Sequence, residues 1–159
     1  MPEIHSEWSL FSSEDALKFS PMQGQETKVR SRLPEGPMIL VVDDQRLIAD
    51  TLAEVLNRSG FRAMPVYDGE SALDMALQLQ PHYLLSDIMM PGMNGVDLAI
   101  AVQRQLPATL IVLISGQAGV SDILSEARNS GYRFSLLAKP IHPEKLVDYL
   151  KHKGPRHWK

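Results

Sequence analysis

The sequence predicts an α/β domain: a doubly wound, five-stranded parallel sheet in the order 2-1-3-4-5, with helices on both faces. Three observations carry this reading. Short apolar runs alternate with amphipathic segments from Met38 to the C-terminus. Gly60, Pro81, Pro107 and Gly131 stand where the amphipathic segments should stop. Right-handed crossovers between parallel strands then favour the doubly wound arrangement over other layouts.

The elements follow in order. Met38–Val42 (MILVV) is a β-branched run suited to a strand buried on both faces. A helix from about Gln45 carries Ile48, Leu52, Val55 and Leu56 on one face and stops at Gly60. Phe61–Tyr67 is a weaker strand that Pro65 assigns to an edge of the sheet. Glu70–Gln80 is helical, with Leu73, Ala76 and Leu77 inward and Pro81 as the stop. His82–Asp87 (HYLLSD) makes a third strand, and Asn94 can cap a helix from Gly95 to Leu106. Thr109–Ser115 is the run with the strongest strand character. Val120, Ile123, Leu124 and Ala127 have helical spacing. Phe134–Ala138 is the fifth strand, and Pro143 opens a last helix with Leu146 and Leu150 inward. The arrangement is flavodoxin-like, with no sign of a second domain or an internal repeat.

Composition narrows the function classes. The 159 residues are 44% hydrophobic and 22% charged, which suits one globular domain with a tail. A net charge of -3 argues against a general nucleic-acid binder. With no cysteine, neither a disulfide framework nor a thiolate zinc site is available. The apolar run Ala108–Ile114 is far too short to span a bilayer. Glu3, His5 and Glu7 stand where a signal peptide would be basic and then apolar. A soluble, cytoplasmic protein is expected. Residues 1–37 are rich in polar and turn-forming types and read as a flexible N-terminal arm, with Ser12 and Asp15 resembling a capping box. Residues 38–151 form the expected domain, and 152–159 a basic, solvated tail.

In a sheet of this order a ligand site lies beyond the carboxyl ends of the strands, near the switch between the first and third. Those ends deliver Asp43 and Asp44, Asp87, Ser115, and Lys139 with Pro140. Clustered carboxylates repel one another unless a cation neutralises them. Oxygen donors with few protein ligands suit Mg²⁺. Lys139 and Ser115 complete a cradle for an anion, as point charge and hydrogen-bond donor. Such a set describes phosphoryl transfer to Asp87.

On VVDDQ, SDIMMPGMNG, LISG and AKPI, in order over roughly residues 38–150, the chain resembles the receiver domain of two-component response regulators, the CheY-like fold. The resemblance implies that Asp87 is the phosphoacceptor, served by a histidine kinase or a histidine phosphotransfer protein. It implies Mg²⁺ held by Asp43, Asp44, Asp87 and the backbone carbonyl of Met89. Lys139 would pair with a phosphoryl oxygen across a cis bond to Pro140, and Ser115 would swing inward to the phosphate. Pro91 and Gly95 would shape the loop after the acceptor. Family members often carry an aromatic switch residue where this chain has Leu136, so an aromatic rotamer change is not its readout. Gln117 could orient an attacking water and Met89 could not, which implies modest self-dephosphorylation. A stand-alone receiver is expected, catalysing only its own phosphorylation and dephosphorylation and signalling by contact with a downstream protein; its oligomeric state is open.

Other readings are weaker. Asp43 and Asp44 alone could be acids at a helix start, Asp87 a loop cap, Lys139 a solvated strand end and Ser115 a common strand terminus. Met89, Met90 and Met93 read as loop packing, and His82, His142, His152 and His157 as surface residues without ligand spacing. A haloacid-dehalogenase-like phosphohydrolase would need D-x-D, and Asp44-Gln45-Arg46 lacks it. No glycine-rich nucleotide loop follows the first strand. A receiver-like scaffold that binds partners without phosphorylation is the alternative.

Overall fold

The computed structural model describes residues 35–116 and 120–154. The expected arm through residue 34, with its Ser12 and Asp15, Gln117, and the tail from residue 155, including His157, lie outside the described residues.

Strands and helices alternate: β1 (Met38–Val42), α1 (Arg46–Arg58), β2 (Arg62–Val66), α2 (Gly69–Leu79), β3 (Tyr83–Asp87), α3 (Gly95–Gln105), β4 (Leu110–Ser115), α4 (Ser121–Asn129), β5 (Ser135–Ala138) and α5 (Pro143–Lys153). The strands form one five-stranded sheet in the order β2-β1-β3-β4-β5, all pairs parallel. Every residue of β1 and β3 is buried, as central strands covered on both faces must be.

Alternate strand residues build two cores. Leu40, Val42, Leu84 and Leu113 pack with residues of α2, α3 and α4. Ile39, Val41, Tyr83, Leu85 and Ile114 pack with Leu52 and Leu56 of α1 and Leu146 and Leu150 of α5. Each fully buried aliphatic side chain contributes roughly 1.5–3 kcal/mol, so the two faces anchor the strand ends that carry the polar residues. Asn94 caps α3 as its sequence position predicts, accepting from the backbone N–H of Val96 and Asp97.

Details of helix phase differ from the sequence reading. In α1 the buried residues are Ala49, Leu52, Ala53 and Leu56, and Ile48 and Val55 are only half-buried. In α2 the inward residues are Ala72 and Ala76, with Leu73 half-buried and Leu77 turned out at 37% exposure. At the start of α2, Gly69 abuts Met93 so closely that a Cβ there would lie 2.6 Å from the Met93 carbonyl oxygen, and Ala72 and Ala76 are the residues buried in the adjoining core. His82 is likewise no bystander. Its Nδ1 accepts from the Met38 N–H at 3.0 Å, its own N–H donates to the Met38 carbonyl, and its carbonyl accepts from Leu110. It fastens the amino ends of three adjacent strands. His142 and His152 are exposed.

The outer margin of β2 is closed by side chains. Arg62 N–H donates to Pro37 and the Val66 carbonyl accepts from Asp43, so these residues face β1 and the odd-numbered ones face outward. Pro65 has no N–H to offer. Ala63 is claimed by Asn57 of α1: its N–H donates to Oδ1 at 2.8 Å and its carbonyl accepts from Nδ2 at 3.0 Å. The carboxamide imitates a neighbouring strand. Asn57→Ala is expected to cost about 1–2 kcal/mol, two half-buried backbone groups being left to solvent, which urea unfolding of the pair of proteins measures.

Candidate functional site

The acids and the lysine predicted from sequence meet at the carboxyl ends of the strands. Asp43 follows β1 and is 1% exposed; Asp87 ends β3 and is 6% exposed. Parallel pairing of β1 with β3 aligns Val42 with Ser86, so the next residue of each strand shares one rim. Asp44, exposed, completes a group whose carboxylate oxygens lie within 4.8 Å of one another. Across the sheet, Lys139 Nζ lies 3.1 Å from Asp43 Oδ2 and 3.4 Å from Asp87 Oδ1.

The backbone explains why these side chains stay put. Asp43 Oδ1 accepts from the Gln45 N–H at 2.9 Å and so opens α1 from within its own turn. Asp87 Oδ1 accepts from the Ile88 N–H at 3.0 Å. Lys139 N–H donates to the Ser115 carbonyl at 2.8 Å, which binds the ends of β4 and β5 together. The Lys139–Pro140 bond is cis, as expected.

Burial raises the Asp87 carboxyl above the usual carboxylate range; Lys139 pulls it back and Asp43 pushes it further up. Burial works to lower Lys139, but the Asp43 and Asp87 carboxylates outweigh it, and the ammonium is held more firmly than in solution. Three oxygen donors this close, with Lys139 against two of the acids, fit a hard divalent cation such as Mg²⁺ better than a transition metal.

The remaining predicted residues fall around this centre. Ser115 is half-buried at the end of β4, aligned with Ala138 next to the lysine. Met89 lies in the loop after the acceptor with its side chain 53% exposed, whereas Met90 is buried and Met93 half-buried, so loop packing holds for the latter two. Leu136 projects from β5 at 46% exposure. Sequence reasoning missed Glu70, whose carboxylate accepts from the Met93 N–H at 2.9 Å and so touches the acceptor loop from α2. Its one sequence signal, an acid in a first helical turn, has a sufficient explanation in the helix dipole.

The chain is similar to known response regulators and receiver domains. The chain is 34% identical over 109 residues to the DNA-binding response regulator MtrA of Mycobacterium leprae, a match covering 69% of this chain and 47% of the relative. The match to MtrA of Mycobacterium tuberculosis has the same identity and covers 46% of that protein, so the chain spans about half the length of the curated relatives it matches. Among solved structures, chemotaxis protein CheY4 of Vibrio cholerae is 27% identical with a TM-score of 0.64, over 74% of this chain and 98% of CheY4. The receiver domain of an HD domain-containing protein from Pseudomonas fluorescens is 26% identical with a TM-score of 0.66, over 74% of this chain and 93% of that one. Among the described residues no helix is long and apolar enough to cross a membrane. The family model for the response regulator receiver domain matches residues 39–151, nearly all of the span from β1 to α5, and the chain belongs to that family.

Proposed function

We propose that Asp87 is the phosphoacceptor of a cytoplasmic two-component phosphorelay, charged by a histidine kinase or a histidine phosphotransfer protein and read by a downstream protein. The observation that carries this is Lys139 Nζ poised between the two buried carboxylates, at 3.1 Å and 3.4 Å. A cation so placed can follow negative charge from the carboxylate to a phosphoryl oxygen without leaving the rim. With Oδ1 engaged by the Ile88 N–H and Lys139, Oδ2 is the attacking oxygen. It forms the P–O bond as the P–N bond of the phosphohistidine breaks, and the departing imidazole takes up a proton.

Asp43, Asp44, Asp87 and the Met89 carbonyl would hold Mg²⁺. Bound there, the ion would neutralise the acids and draw charge from the phosphoryl oxygens. Ser115, at the end of the strand beside Asp87, would donate to the phosphoryl group and move with it. Leu136 contributes no ring, so the outward message passes through packing along β5. The whole-length activity of relatives such as MtrA, DNA binding in its name, is not needed for this step.

The test is incubation with Mg²⁺ and acetyl phosphate, read by intact-mass and peptide-level mass spectrometry. One phosphoryl group on Asp87 is expected, lost on chelation and in Asp87→Ala. Modification elsewhere, or undiminished modification without a divalent ion, overturns the reading.

A further inference from the structure

We propose that Glu70 is a positioning residue: from the first turn of α2 it pins the loop that carries the Met89 carbonyl, and so sets how tightly the rim binds its divalent ion. The proposal rests on the phosphoacceptor reading of Asp87 and deepens it.

The loop between Ile88 and Asn94 is held at three points. Its base is closed by the Gly95 N–H donating to the Ile88 carbonyl at 2.9 Å. Its middle is weighted inward by Met90, buried in the core that also contains Ala72 and Ala76 of α2, with Met93 packed against that core. Its far side is caught by Glu70, whose Oε1 accepts from the Met93 N–H at 2.9 Å. The third contact is shaped on both sides. Gly92 has a φ of +72°, which favours glycine, and a Cβ there would lie 2.8 Å from Glu70 Oε1, so a side chain would be strained and would displace the carboxylate from the loop. Gly69 lets the start of α2 approach until a Cβ would lie 2.6 Å from the Met93 carbonyl oxygen.

The anchor itself is firm. Asp68 caps α2, its Oδ1 accepting from the Ser71 N–H at 2.7 Å and its Oδ2 from the Ser71 hydroxyl at 2.8 Å. Glu70 therefore stands on a fixed turn, where the helix dipole favours its charge, and a carboxylate accepting from a backbone N–H makes a charge-assisted bond. Met89 lies between a pinned residue and a buried one. Its carbonyl direction follows the loop, which β4 holds at the start through the Ile88 N–H and the Ile114 carbonyl, and which Glu70 holds by a side chain at the far side.

The experiment uses the full chain and two substitutions. Mg²⁺ affinity is measured by titration of backbone amide resonances, and amide hydrogen exchange at Met93 is measured without metal. Glu70→Ala is expected to weaken Mg²⁺ binding by roughly 3- to 10-fold, the low side of what outer-shell changes do because the contact is exposed. It should also speed Met93 exchange with little change in melting temperature. Glu70→Gln keeps an acceptor oxygen in the same place and is expected to restore both readouts to within about 2-fold. A helix-dipole or purely structural role would instead make the Gln and Ala variants alike, and that result overturns the proposal. Equal Mg²⁺ affinity of Glu70→Ala and wild type, or unchanged Met93 exchange, also overturns it and leaves the acceptor reading intact. A wild-type chain that binds no Mg²⁺ overturns the metal-site reading, and this proposal with it.

Discussion

Gly95→Ala is expected to lower the melting temperature by roughly 10 °C and to abolish productive phosphorylation of the molecules that remain folded. The Cβ of an alanine would lie 2.0 Å from the carbonyl oxygen of Asp87 and 2.9 Å from both the Asp87 carbonyl carbon and the Ile88 Cα. All three are backbone atoms of the acceptor segment, so no rotamer change relieves the contact. Two effects oppose each other. Alanine is the better helix former by about 1 kcal/mol, and Gly95 is the first residue of α3. Forcing a methyl into a closed backbone contact costs about 3 kcal/mol or more. The clash wins. The same contact bears on the backbone that carries Asp87, whose carboxylate lies 3.4 Å from Lys139, and on the bond from the Gly95 N–H to Ile88. Thermal unfolding with and without beryllofluoride separates the two effects. Wild-type stability in this variant would mean that α3 does not press on the acceptor as closely as described.

Lys139→Ala is expected to slow phosphorylation from acetyl phosphate about 100-fold, the scale of losing one charged group aimed at developing negative charge. Without a divalent ion it should also destabilise the fold at neutral pH by on the order of 2 kcal/mol, since Asp43 and Asp87 are then left facing each other without a cation. The figure is held down because the lysine side chain is itself 23% exposed. The pH dependence has a definite sign. Lys139 is raised in the fold by the Asp43 and Asp87 carboxylates, so in wild type its contribution is full near neutrality. It fades in the alkaline range as the ammonium loses its proton, and falls in acid as those carboxylates gain theirs. Asp87 is already raised by burial and by Asp43, and removing Lys139 leaves only the Ile88 N–H to pull it down. A carboxyl raised in the fold favours folding below its own pKa and loses that advantage as pH rises through it. The variant's deficit should therefore shrink on acidification and widen toward neutrality. Urea unfolding in chelator, at about pH 4.5 and 7.5, measures it. A deficit that grows in acid would show that the lysine stabilises the rim by some route other than its charge.

What the amino-acid order disclosed about this molecule divides along a physical line. The strands, their sequence order in the sheet and the meeting of Asp43, Asp44, Asp87 and Lys139 follow from periodicity and from the rule that parallel strands present their carboxyl ends together. Apolar runs declare themselves because burial acts on every residue in them. Single polar contacts do not. Asn57 reaches Ala63, His82 reaches Met38 and Glu70 reaches Met93 through bonds from one side chain to one backbone group. No repeating pattern marks such a residue, and each has an ordinary explanation as a surface polar group. Leu77 failed differently. Its segment is helical where expected, but the buried face runs through Gly69, Ala72 and Ala76, small residues whose weak apolar signal a count of large side chains passes over. Ser115 was placed correctly at its strand end, and its motion stays with the proposed function.

The carboxamide of Asn57 and the imino nitrogen of Pro65 matter beyond the stability of one copy. Fibre growth by strand addition needs two available flanks on every subunit, one to receive and one to offer. A molecule with one flank spent can terminate such a stack but cannot propagate it, so sheet-to-sheet adhesion stops at a pair. Crowding then raises encounter frequency without seeding polymer.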